Sequence, residues 1–124
     1  MPWVRFADDY LSNPKVQPLG LAARVLDFSA IIYSARELRD GKLTRTDVEL
    51  VANLTRIGRK WRAVADELVA HGRWVECQDP PLYVIHDYLS YQPSREQILA
   101  QREADRVRKS HAGQGRWPSN GAAG

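Results

Sequence analysis

Cysteine is nearly absent from this sequence: its 124 residues include one, Cys77. A single thiol excludes an internal disulfide. It also leaves too few sulfur ligands for a cysteine-based zinc site, and the three scattered histidines do not replace them. No run approaches the roughly 18 consecutive apolar residues of a membrane-spanning helix. Met1 to Tyr10 carries Arg5, Asp8 and Asp9 and no apolar stretch, so it does not read as a signal peptide. A cytoplasmic protein without a membrane partner is expected. A glycine-rich phosphate loop is also missing. The body has no charge excess, because residues 1–93 carry 12 basic and 12 acidic side chains, whereas residues 94–124 carry 6 and 3. The net charge of +3 therefore belongs to the C-terminal stretch. A neutral body with a basic extension can bind an acidic polymer, but with limited non-specific affinity, since that affinity grows with the number of phosphates neutralised.

What is present is ordinary for a globular chain. Hydrophobic residues at 44% and charged residues at 27% support one domain with a modest core. Trp3-Val4-Arg5-Phe6 alternates apolar and charged residues, as a short strand or extended lead-in does. Asp8 to Leu19, with Asn13-Pro14 and Pro18, reads as a loop. Leu21, Val25, Leu26, Phe28, Ser29, Ile32, Tyr33 and Leu38 recur at three and four, which predicts a long central helix ended by Asp40-Gly41. Lys42-Leu43 is a brief link, too short for an independent strand. Thr44 or Thr46 then caps a second helix through Val48, Leu50, Val51 and Leu54, with Asp47 and Glu49 in its first turn. Thr55 to Gly58 is a turn, and a third helix is expected from about Arg59 to His71, stopped by Gly72.

Arg73 to Cys77 and Leu82 to His86 read as two short strands around the polar, proline-bearing connection Gln78-Asp79-Pro80-Pro81, a β-hairpin. Ser94-Arg95-Glu96-Gln97 has the form of a capping box opening a fourth helix to about Ser110, thin in apolar residues. The expected fold class is mainly α with a small β-hairpin. Helix, link, helix, turn, helix and hairpin are the order of a winged helix-turn-helix. Residues 1–93 form that domain in this reading, 94–111 a basic C-terminal helix and 112–124 a Gly/Ser/Pro-rich disordered tail.

The third helix carries the functional signal. Arg56, Arg59, Lys60 and Arg62 lie within seven residues that contain no acid, opposite an apolar face of Trp61, Val64, Ala65, Leu68 and Val69. An anchored helix with a bare basic edge near its start suits a DNA reader. Arg56 and Arg59 would meet phosphates, and Lys60, Arg62 and Ala63 would approach base edges. Thr44 and Arg45 on the preceding helix and Arg73 at the hairpin base complete the expected DNA contacts. The alternative is a plain solvated face, with Asp66 and Glu67 pairing locally with Arg62. The hairpin tip argues against DNA, because Glu76, Gln78 and Asp79 would be repelled by phosphate. On the last helix, Arg102, Arg106, Arg108 and Lys109 either extend along DNA or solvate a helix that docks on a partner.

No catalytic constellation stands out. His86-Asp87 resembles a metal-binding dipeptide but has no further ligand at usable spacing, His71 suits a helix terminus, and Asp8-Asp9 and Asp40 are loop and cap residues. Trp3, Trp61, Trp74, Tyr83 and Tyr88 read as packing aromatics. No enzyme, metal or cofactor is expected.

Tyr83-Val84-Ile85-His86-Asp87-Tyr88-Leu89-Ser90-Tyr91-Gln92-Pro93-Ser94-Arg95 resembles a group of small winged-helix proteins of actinobacteria and their phages. These are akin to the N-terminal domain of DnaD-type replication-initiation and replisome-organiser proteins. Trp3-Val4-Arg5-Phe6, Asn13-Pro14-Lys15-Val16 and Tyr33 to Gly41 fit the same group, and the likeness covers roughly residues 2–109. It implies a DNA-associated role in replication initiation or its regulation, acting through a homodimer or oligomer and with a replication protein as partner. Proteins of this group often carry a second domain after the winged helix. Here a short basic helix and tail take its place, which favours a small DNA-binding or adaptor protein. Two functions are therefore expected in competition. One is a winged-helix DNA-binding protein of phage or prophage type, in replication initiation or transcriptional control. The other is a protein-interaction module using Trp3, the hairpin and the last helix.

Overall fold

Small side chains decide how the first helix packs. In the computed structural model, which describes residues 3–121 and the side chains as far as His111, α1 spans Leu21–Glu37. Its buried face is Ala23, Leu26, Asp27, Ala30, Ile31, Ser34 and Ala35. The larger residues expected to mark the core side lie elsewhere: Leu21 is 80% exposed and Ile32 50%. Alanine and serine let neighbouring helices approach closely, so the small-residue face turns inward against α2 (Arg45–Leu54) and α3 (Trp61–Ala70).

The chain leaves α1 through Leu38, Asp40 and Gly41, all at positive φ. Helix α1 thus ends at a left-handed Leu38, earlier than the expected Asp40-Gly41 stop. Gly41 donates its amide to the Ser34 hydroxyl at 2.8 Å, and a Cβ there would lie 2.6 Å from the Tyr88 Cβ. Only glycine fits that combination of φ and space. Gly41→Ala is expected to lower stability by about 2–4 kcal/mol, from left-handed strain plus overpacking, read as a fall in the urea midpoint at unchanged slope.

Lys42–Leu43 is a strand, β1, and not a mere link. It pairs with β3 (Tyr83–Ile85), which also pairs with β2 (Trp74–Glu76), giving an antiparallel sheet in the order β1-β3-β2. Two residues suffice because Leu43 is fully buried and the Gly41 carbonyl accepts from the Ile85 amide at 2.8 Å. The architecture is therefore mainly helical with a small three-stranded sheet. Trp74, Tyr83, Leu26, Leu43, Leu68 and Ile85 fill the core between the helices and the sheet.

Trp3 to Phe6 form no strand. The side-chain amide of buried Gln92 takes a strand's place: its Oε1 accepts from the Arg5 amide at 3.0 Å and its Nε2 donates to the Arg5 carbonyl. Trp3 is 82% exposed and does not join the packing aromatics, whereas Trp61, Trp74, Tyr83 and Tyr88 are buried. The loop after it holds a 3-10 turn at Tyr10–Ser12, and Val16 and Leu19 from the same loop enter the core. A one-turn helix missed in the sequence, α4 (Tyr88–Tyr91), opens at Asp87, another residue at positive φ.

The chain divides into two units, Met1–Pro93 and Ser94–Gly124. The second is one helix, α5 (Arg95–Gly121), opened by the expected capping pair: the Ser94 amide donates to the Gln97 side chain at 2.8 Å and the Gln97 amide to Ser94 Oγ at 3.1 Å. The tail expected to be irregular from residue 112 is thus helical as far as Gly121, and residues 122–124 lie outside the described residues. Extending a nucleated helix costs far less than starting one, so the weak helix formers of this stretch do not stop it.

Candidate nucleic-acid interface

Thr44 fixes where α2 begins. Its hydroxyl accepts from the Asp47 amide at 3.1 Å, while the Asp47 carboxylate accepts from the Thr44 amide at 2.9 Å. Asp47 also receives the Tyr33 hydroxyl at 2.6 Å and lies 3.3 Å from Arg39. Burial opposes its ionisation, but the Tyr33 and Thr44 hydrogen bonds and the Arg39 guanidinium outweigh burial and hold the carboxyl below the ordinary aspartate range. A carboxylate with a depressed folded pKa adds stability that is complete above the unfolded value and disappears as pH falls through the folded one. Asp47→Asn is expected to cost about 1–2 kcal/mol at neutral pH. In acid unfolding, the difference from the wild type should close as pH drops below about 4.

From α2 the chain turns through Thr55 and Arg56, which stands at φ 66, to Gly58 at φ 64. Gly58–Lys60 is a 3-10 turn, and α3 begins only at Trp61. Arg59 and Lys60 therefore lie ahead of the helix expected to carry them. Trp61, 8% exposed, anchors the turn, with the Arg62 guanidinium 4.7 Å and the Arg45 guanidinium 5.8 Å from its ring centre. Such stacking adds a cation–π attraction to the burial of the indole.

The expected DNA contacts separate into two groups. Arg56, Arg59 and Lys60 are exposed and make no hydrogen bond or ion pair among the described residues. Ala63 is exposed on the first turn of α3. The others are engaged within the fold. Arg62 donates to the Tyr83 hydroxyl at 3.1 Å and lies 3.7 Å from Glu76, so it ties α3 to the hairpin. Arg45 pairs with Glu49 at 3.2 Å, and Thr44 is consumed by its capping box. Arg73, with a side chain 12% exposed, pairs with buried Asp27 at 3.0 Å. The expected local pairs of Arg62 with Asp66 and Glu67 do not form. Glu67 instead accepts from the Gly20 amide at 2.7 Å and closes the start of α1.

Beside the free cations runs an open groove of about 350 Å³, lined by Leu21, Ala22, Val25, Ile57 and Val64, with Arg56 and Lys60 at its edge and no acid in its wall. The hairpin is acidic: Glu76, Gln78 and Asp79 are exposed. On α5, Arg106 pairs with Glu103 and Arg108 with Asp105, while Arg102 and Lys109 make no ion pair among the described residues. Two of the four basic residues there are thus occupied in local pairs.

Asp27 is the residue that sequence reasoning missed. It is fully buried on α1 and accepts from the Tyr10 hydroxyl, Arg73 Nε at 3.0 Å and Trp74 Nε1 at 3.0 Å. Burial first, and then the Asp27 carboxylate, push the Tyr10 hydroxyl far above its usual pKa, so it remains a donor. The signal was available: a lone acid in line with Ala23 and Ile31 on an apolar face requires a buried partner.

Among the described residues, no group of three or more His, Cys, Asp or Glu could hold a metal ion, and no helix is long and apolar enough to cross a membrane. His86 stands 3.0 Å from Asp87 and 3.5 Å from the Lys15 ammonium. His71 Nδ1 lies 3.1 Å from the Glu67 carbonyl at the end of α3. Comparison with family models, with curated proteins and with solved structures gives no match.

Proposed function

We propose that this chain is a non-enzymatic winged helix-turn-helix protein that binds duplex DNA, in replication initiation or transcriptional control of the phage or prophage type. The connectivity supports the fold: helix, strand, helix, helix and hairpin, with the early strand completing the hairpin's sheet. The observation that carries the function is the selective freedom of Arg56, Arg59 and Lys60. Their basic neighbours Arg45, Arg62 and Arg73 are held by acids or rings, while these three share a short, anchored turn without an acidic partner among the described residues. Cations that serve the fold are paired, and a preorganised unpaired group is what a phosphate backbone recognises.

In this reading the reader is the turn leading into α3 rather than the middle of the helix. Arg56, Arg59 and Lys60 hold phosphates, Ala63 lies against the groove floor, and Arg62 positions the helix on the sheet. Non-specific contacts dominate, because few polar side chains on α3 are free to address bases. An amide NMR titration of the intact chain with a short duplex tests the placement. The largest shifts are expected at residues 56–63, and shifts confined to the hairpin or to α5 would contradict it.

The acidic hairpin favours a second reading, a protein-interaction module with little direct DNA binding. Glu76 and Asp79 flank the very face that would meet phosphate, and a partner with basic surface would suit them.

A further inference from the structure

The face that holds the basic turn carries its opposite charge alongside. Arg62, two residues beyond Lys60, bridges to Glu76 at 3.7 Å and to the Tyr83 hydroxyl at 3.1 Å. The end of β2 is thereby fixed next to the start of α3. The hairpin connection that continues from Glu76 carries Asp79, which is exposed and makes no ion pair among the described residues. One surface therefore presents a positive end, Arg56, Arg59 and Lys60, and a negative end, Glu76 and Asp79. Between and beside them lie apolar groups: Leu21 at 80% exposure and Val75 at 48%, with the groove along Ile57 and Val64.

A surface with plus at one end and minus at the other is complementary to itself when rotated by a two-fold axis. In such a pair the same patch serves both partners, and each contact occurs twice. From this we infer that two copies of the chain associate face to face, the hairpin tip of each lying against the basic turn of the other. Asp79 and Glu76 of one copy meet Lys60, Arg59 and Arg56 of its partner, and Pro80, exposed beside Asp79, covers part of the apolar groove. The acids that would repel DNA acquire a role: they occupy the cations that would bind it. Self-association and DNA binding then exclude each other, a regulatory consequence that rests on the DNA-binding reading, while the association itself does not.

The occupant is the chain itself because both halves of the contact lie on the same face. A basic helix such as α5 from another copy would be repelled by Arg56 and Lys60. The attraction is between exposed charges, so it weakens as salt shortens the screening length.

Charge exchange tests the pairing on the intact chain by sedimentation velocity at low ionic strength. The wild type is expected to shift from monomer to dimer with concentration, and added salt to reverse the shift. Lys60→Glu and Asp79→Lys, at exposed positions without ion pairs, should each raise the dimer dissociation constant at least tenfold, with the far-ultraviolet spectrum unchanged. An equimolar mixture of the two variants should recover the dimer, because both contacts of the mixed pair are again between opposite charges. A wild type that stays monomeric at its highest soluble concentration would overturn the proposal, as would variants that associate like the wild type or a mixture that fails to recover. Duplex binding by Asp79→Lys separates this result from the DNA reading. Tighter binding than the wild type supports mutual exclusion. Restored pairing in the mixture with no duplex binding by any form would leave the dimer standing and remove DNA as its competitor.

Discussion

Asp27→Ala is expected to destabilise the protein by about 3–5 kcal/mol, a large share of the 5–15 kcal/mol typical of a domain. The carboxylate is fully buried and receives the Arg73 guanidinium, the Trp74 indole and the Tyr10 hydroxyl. Removing it leaves three donors in the interior with no acceptor, one of them a full charge. That asymmetry dominates the cost, since an unpaired buried charge is far worse than a pair never built. Replacing both ends of the ion pair with apolar groups of similar size, Asp27→Leu with Arg73→Met, should recover most of the loss. Urea unfolding followed by tryptophan fluorescence reads both variants, because Trp74 sits at the site. A single variant within 1 kcal/mol of the wild type would show that the network is incidental to stability. The effect should reach the hairpin as well as the core. Asp27 joins α1 to the N-terminal loop through Tyr10 and to the hairpin base through Arg73 and Trp74.

Removing the charges of Arg59 and Lys60 together should lower duplex affinity uniformly across DNA sequences and flatten the salt dependence by about two contacts, one for each phosphate partner lost. Arg62→Ala should behave differently. Its guanidinium is engaged by Tyr83, Glu76 and the Trp61 ring, so its loss should reduce stability and loosen α3, with little change in the salt slope. Equal slopes for the wild type and the Arg59/Lys60 double-alanine variant would place the contacts elsewhere.

Local signals carried much of the fold. The capping residues Thr44 and Ser94, the turns at Gly41, Gly58 and Gly72 and the proline-bearing hairpin are all short-range chemistry, and each stands where its residues put it. What could not be read locally depended on distant partners. β1 becomes a strand only because β3, some forty residues later, offers it an edge. The core face of α1 is set by how closely α3 can approach, which favoured Ala and Ser over the larger residues beside them. The extended Trp3–Phe6 segment finds one side-chain amide, Gln92, instead of a strand.

The site divides in the same way. Clustering of Arg56, Arg59 and Lys60 is visible in the sequence because the three are close in the chain and contain no acid between them. Their freedom is not visible, nor is the commitment of Arg62 and Arg73, because Tyr83, Glu76 and Asp27 lie far away in sequence. Counting basic residues overstates a binding surface wherever the fold itself consumes some of them.

The most direct test of DNA binding at the basic turn is fluorescence anisotropy of a labelled duplex titrated with the intact protein across a range of salt. With about three phosphates neutralised by Arg56, Arg59 and Lys60, affinity should fall on the order of 40-fold between roughly 50 and 200 mM NaCl. Absence of binding at the lowest salt, or binding that salt does not weaken, would contradict the account.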